Sequence, residues 1–160
     1  MPIHDLSPRS LIALAGAGSA VLLLAALMFQ AAGYAPCDLC ILQRWPHLAA
    51  ALIAAATWFL GLPARRMAVL GAGAAAVAMG LAFYHTGVEQ HWWAGPADCT
   101  GATNIGGMSV QDLMTRIQSA PMVRCDEVAF SLFGVSMAGW NALASSGLVA
   151  VWLLAALRRD

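Results

Sequence analysis

Four stretches of this chain are free of charged residues over a length that crosses a bilayer, which takes about 20 apolar residues. The first runs from Ser10 to about Tyr34 and the second lies between Arg44 and Arg65. The third runs from Met67 to about Val88, and the fourth lies in the uncharged run from Val128 to Leu157, best placed at Gly139 to Leu157. Composition agrees: 61% of the 160 residues are hydrophobic and 10% charged, against roughly 25% charged in an ordinary soluble domain. The expectation is an all-α membrane protein, a four-helix transmembrane bundle in a single domain over 1–160. Its spans fall at about 10–34, 45–64, 67–87 and 139–157. A cleaved signal peptide is the alternative for the first stretch, but the apolar run is too long and three more spans follow.

The arginines orient the bundle. Arg9 precedes the first span, Arg65 and Arg66 separate the second and third, and Arg158 and Arg159 follow the fourth. These five share one side, expected to be cytoplasmic, with both termini. The other side receives loops at about 35–44 and 88–138, and with them Cys37, Cys40, Cys99 and Cys125. There the cysteines meet an oxidising compartment in which disulfides persist. Formal net charge is zero, so nothing points to nucleic acid.

No internal repeat or separate soluble domain is visible. Small residues (Gly16 to Gly18, Ala49 to Ala51, Gly71 to Ala74) allow close helix approach in lipid. Gly61-Leu62-Pro63 makes the second and third spans antiparallel neighbours. Trp45, Trp92, Trp93 and Trp140 fall near the outer interface, where aromatic belts sit. Within the long loop, Ser109-Val-Gln-Asp112 reads as a helix start with Ser109 as N-cap. Val110, Leu113, Met114 and Ile117 then form one apolar stripe. That helix either lies on the membrane surface or packs on the bundle. Ala129 to Ala138 reads as a second interfacial segment.

The stretch PCDLCILQRWPH, residues 36 to 47, sets Cys37, Cys40, Arg44 and His47 on one face if it is helical. A helix N-terminus and Arg44 would both favour a thiolate at Cys37, the nucleophile of disulfide exchange. Pro46 allows another reading, with the helix starting near it and Cys37 to Gln43 forming a looser turn. A c-type haem site needs His after the second Cys, and Ile41 is there. Four cysteines could hold zinc, though Cys99 and Cys125 lack C-x₂-C spacing. A structural disulfide across C-x₂-C gains little, so a redox role explains the spacing better. A Cys99–Cys125 disulfide would close a loop worth about 3.5 kcal/mol, which suits plain stapling equally well.

Exchange between two pairs needs an electron exit, and the membrane offers quinones. Arg44 could hold a quinone carbonyl, or merely sit at head-group level. His85 could supply a proton or hydrogen bond, or be a satisfied interfacial histidine. His47 and His91 are weaker candidates, and Glu89 has no sharper reading than a cap or ion pair.

PCDLCILQRWP before the second span, YHTGVEQHWWAGPADC after the third and VRCDEVAFSLFGVSMAGWN before the fourth resemble the disulfide bond formation protein B (DsbB) family over nearly the whole chain. The resemblance implies a bacterial inner-membrane thiol:quinone oxidoreductase that reoxidises a periplasmic thioredoxin-like protein of the DsbA type. It implies a Cys99–Cys125 disulfide attacked by the reduced partner, with Cys99 in the mixed disulfide. Electrons then pass to Cys37–Cys40 through a transient bridge, and Cys40 meets the quinone with Arg44 as its positive anchor. Ubiquinone is expected ahead of menaquinone, although no residue separates them. The segment holding Gly101, Gly106 and Gly107 is this chain's own variety of the loop and leaves the partner open. Rival readings are a vitamin K epoxide reductase-like enzyme, which places its C-x₂-C elsewhere, and a non-catalytic membrane protein with stapled or zinc-bound loops.

Overall fold

A computed structural model of the chain describes residues 6–100, 109–119 and 123–158. Four long helices carry the fold: α1 Pro8–Ala31, α2 Asp38–Phe59, α3 Ala64–Glu89 and, after the long loop, a helix at Met137–Leu157. All four are long and apolar enough to cross a membrane. Between α3 and the last long helix lie two short ones, α4 Ala97–Thr100 and α5 Val110–Ser119, and the strands β1 Ser131–Leu132 and β2 Val135–Ser136. The last long helix is therefore α6.

The long helices close into a ring. α1 packs on α2, α2 on α3, α3 on α6 and α6 back on α1, while α1 and α3 touch only slightly across the diagonal. Lipid tails do not drive apolar helices together, so close approach of small residues has to. Ala50, Ala54, Ala68, Ala72 and Ala75 are buried with Leu11, Ile12 and Trp152 in one cluster. A Cβ on Gly71 would stand 2.4 Å from the Trp152 ring, whereas one on Gly73 would meet nothing. Trp152 fits only because Gly71 has no side chain.

The second helix begins at Asp38, ahead of the span expected from about 45, and runs through Pro46. Its start is fixed by Cys37, whose sulfur caps the Cys40 N–H at 3.2 Å. With the first turn capped, Pro46 costs one internal hydrogen bond without ending the helix. The first span stops at Ala31, three residues early, where the chain turns through Gly33 at φ 100°. The third extends to Glu89. Ser136 starts α6 by capping the Gly139 N–H.

The segment from Ala129 to Ala138 is a small antiparallel hairpin, with Ser131 opposite Ser136 and Leu132 opposite Val135. Phe133 and Gly134, both at positive φ, make its turn, the geometry that matches strand twist. The expected helix after Ser109 is present, and the Ser109 hydroxyl accepts from the Asp112 N–H at 3.2 Å. Val110 and Met114 are exposed, so these two do not pack on the bundle. The side chains of Leu113 and Ile117, and the glycines at 101, 106 and 107, lie outside the described residues.

Arg158 donates from Nη1 to the Leu6 carbonyl, so the start of α1 and the end of the last long helix meet at one end of the ring. The described cysteines all gather at the opposite end.

Candidate functional site

The four cysteines form two sulfur pairs in contact. Cys99 and Cys125 are joined by a disulfide with Cα atoms 5.4 Å apart, a separation that disulfides ordinarily span. Cys125 N–H also donates to the Cys99 carbonyl at 2.9 Å. Cys37 and Cys40 are not bonded, and their sulfurs lie 2.7 Å apart. The sulfurs of Cys37, Cys99 and Cys125 all fall within 4.8 Å of one another. Leu39 and Val88 are buried in the same cluster as Cys37, Cys99 and Cys125.

In the reduced pair, the hydrogen bond to Cys40, reinforced by burial, pushes the Cys37 thiol well above the ordinary range. This corrects the expectation of a thiolate at Cys37. The helix terminus does favour negative charge, but two neighbouring thiols cannot both ionise cheaply.

His85 stands beside this pair. Its Nε2 lies 3.6 Å from the Cys37 sulfur and 3.9 Å from Glu89 Oε1. Its tautomer follows from its neighbours. Gln43 Nε2 is 3.2 Å from the Leu39 carbonyl, an atom that only accepts. That nitrogen is thus the amide NH₂, and it also donates to His85 Nδ1 at 2.8 Å. Neutral His85 then carries its proton on Nε2, facing the sulfur. Ser136 donates to Glu89, so the buried carboxylate has a partner too.

The same chain of donors continues across the bundle diagonal to α6. Asn141 Nδ2 donates to Gln43 Oε1 at 2.7 Å. Asn141 Oδ1 in turn accepts from His47 Nε2 at 2.9 Å and from the Ser145 hydroxyl at 3.2 Å. Gln43 and Asn141 were not singled out from the sequence. The signal was there, since an uncharged polar residue inside a span has to find a partner.

A cavity of about 300 Å³ opens between α1, α2, α6 and the segment before β1. Its walls are chiefly apolar, with Leu23, Ala26 and Phe29 of α1 facing Trp140 of α6. Cys37, Cys40, Arg44, His47 and His85 line its polar side. Arg44 is held toward α1 by a 2.6 Å bond from Nη1 to Gln30 Oε1, and its Nε is buried without a partner. Thus the expected residues Cys37, Cys40, Arg44 and His85 share one cavity, whereas Cys99 and Cys125 lie beside Cys37 and do not line it.

A family model described as "Disulfide bond formation protein DsbB" matches residues 8–155. The chain belongs to the DsbB family. It is 34% identical to Disulfide bond formation protein B of Stutzerimonas stutzeri (strain A1501), over 96% of this chain and 98% of that one. It is 30% identical to the protein of the same description from Verminephrobacter eiseniae (strain EF01-2), over 97% of this chain and 89% of that one. An uncharacterized protein of Rickettsia prowazekii (strain Madrid E), RP370, is 27% identical over 69% of this chain and 64% of its own length. No solved structure matches the chain significantly. Membership in the DsbB family makes this a multi-pass membrane protein and a disulfide-forming oxidoreductase. Against that background the vitamin K epoxide reductase-like alternative has no support.

Proposed function

We propose that the chain oxidises a soluble periplasmic thioredoxin-like dithiol protein of the DsbA type and passes the electrons to membrane quinone. The observation that carries this reading is the sulfur of Cys37 lying within 4.8 Å of both sulfurs of the Cys99–Cys125 disulfide. Thiol–disulfide exchange needs a thiolate in line with a disulfide sulfur, and neighbouring pairs meet that need with little chain movement.

The steps balance as follows. A partner thiolate attacks Cys99, forming a mixed disulfide and releasing the Cys125 thiolate. Cys125 attacks Cys37 of an oxidised Cys37–Cys40 pair, forming the bridge and releasing Cys40. The partner's second thiolate resolves the mixed disulfide and leaves oxidised. The Cys99 thiolate then attacks Cys125, restoring the first disulfide and leaving Cys37 and Cys40 reduced. Two electrons have moved from partner to inner pair.

The cavity fits a quinone head. It is apolar and near the smaller end of ligand-pocket sizes, Cys40 lines it, and Arg44 Nε is a buried donor without an acceptor. When bound, a quinone supplies the two-electron acceptor, ubiquinone being the expected one. Arg44 offers its free N–H to a carbonyl oxygen and its charge to the reduced form. His85 holds its Nε2 proton at the Cys37 sulfur. Both termini would be cytoplasmic and the cysteines periplasmic in a bacterial inner membrane, by the arginine bias.

A four-thiolate zinc site competes poorly, because Cys99 and Cys125 are bonded to each other. Purified protein in detergent, a short-chain ubiquinone and a reduced DsbA-type protein make the test. The oxidised-quinone absorbance should fall with the native chain and not with Cys37→Ala or Cys40→Ala. Turnover that persists in either variant would reject the electron path.

A further inference from the structure

Among the described residues, four buried side-chain polar atoms have no hydrogen-bond partner: Ser19 Oγ, Arg44 Nε, His47 Nδ1 and Trp152 Nε1. Of these residues, Arg44 and His47 line the cavity beside Cys40. The two atoms are opposite in kind. Arg44 Nε can only donate. The kind of His47 Nδ1 follows from the network already traced, whose sense is anchored by the Leu39 carbonyl. Gln43 presents its oxygen to Asn141 Nδ2, so Asn141 presents its own oxygen to His47 Nε2. Neutral His47 therefore carries its proton on Nε2, and Nδ1 is a bare lone pair. His47 is only 4% exposed, and a buried acceptor left unmatched costs about 1–3 kcal/mol.

A donor that enters the cavity would remove that cost. A quinone head brings two carbonyl oxygens, which accept and do not donate. The reduced head brings hydroxyls, which donate. Arg44 Nε can serve an oxygen of either form, and His47 Nδ1 can serve only the reduced one. We propose that His47 is the hydrogen-bond acceptor for a quinol hydroxyl, so that this site binds quinol more tightly than quinone. The inference rests on the quinone reading above and adds to it the residue that separates the two redox forms. In the balanced step, the Cys37–Cys40 dithiol forms its S–S bond and gives up two electrons and two protons, and the quinone takes both to become the quinol. Tighter binding of the product form makes the bound quinone a stronger oxidant than the free one. A tenfold preference corresponds to about 30 mV for a two-electron couple.

The experiment measures dissociation constants of a short-chain ubiquinone and of its quinol, each by equilibrium dialysis against the full chain in detergent. The comparison variant is His47→Phe. Phenylalanine keeps a flat ring and has no acceptor, and Asn141 Oδ1 retains the Ser145 hydroxyl as its donor. The native chain should bind quinol roughly tenfold more tightly than quinone, the size expected of one neutral hydrogen bond. In His47→Phe quinol should weaken about tenfold while quinone stays within about twofold, and that retained quinone affinity shows an intact site. A ratio near one in the native chain, or one unchanged in the variant, would overturn the assignment of His47 and leave the quinone site standing. Equal weakening of both forms would also overturn it, by making His47 a structural support. Failure of the native chain to bind either form would overturn the quinone reading and this inference together.

Discussion

Cys37 and Cys40 sit one helical turn apart, and only Cys37 caps the helix. Cys37 lies at the N-cap, between the Cys99–Cys125 disulfide and Cys40, and its thiol is buried and pushed toward the protonated form by its hydrogen bond to Cys40. A protonated thiol is a poor nucleophile. In fully reduced protein at pH 7, iodoacetamide should therefore modify Cys40 well before Cys37, as mass spectrometry of the peptides would show; equal rates would contradict the assignment. Arg44→Ala should raise the quinone KM roughly tenfold or more, the worth of a charge-assisted hydrogen bond, with partner KM unchanged. A quinone KM that does not move would take Arg44 out of the site. Cys37, Cys40, Arg44 and His85 were legible because cysteine, arginine and histidine are rare in an apolar span. Gln43 and Asn141 were not, since what defines them is a bond to each other across 98 residues of sequence.

Among the elements, α3 and α6 depend on a single missing side chain. Gly71→Val should push atoms into the Trp152 ring, whereas Gly73→Val points where nothing stands. Overpacking of this kind costs about 1–3 kcal/mol. The first variant should lower the Tm in detergent by several degrees and the second should leave it nearly unchanged; equal effects would mean that the helices do not pack as described. The run Gly71 to Ala74 was readable as a close-packing surface, but sequence alone does not say which glycine faces the tryptophan, since that depends on rotation of one helix against another. The start of α2 was ambiguous for a related reason. Pro46 argues for a late start, and the Cys37 cap decides for an early one, a competition between one lost bond and one gained. The hairpin at Ser131–Ser136 went unread because phenylalanine in a positive-φ turn carries little sequence signal.

At the scale of the molecule, the ring gathers the start of α1 and the end of α6 at one pole and its sulfurs at the other. Cys99→Ala should abolish the mixed disulfide with a DsbA-type partner, judged by non-reducing electrophoresis after trapping. An adduct that still forms through Cys37 would reverse the order of the pairs. Sidedness has its own check: a cysteine placed at exposed Phe133, in a chain otherwise lacking cysteine, should react with a membrane-impermeant maleimide in whole cells, and one placed at Arg65 should not. The opposite pattern would invert the topology. The spans were legible because lipid imposes a length and an apolar composition on every crossing, whereas the loops obey no such constraint. Three of the four cysteines, Cys37, Cys99 and Cys125, are at most 4% exposed. Small free thiols in solution thus have little access to these three sulfurs. On the function proposed above, the chain would act like an insulated wire, its oxidising equivalents reaching only a protein able to uncover Cys99.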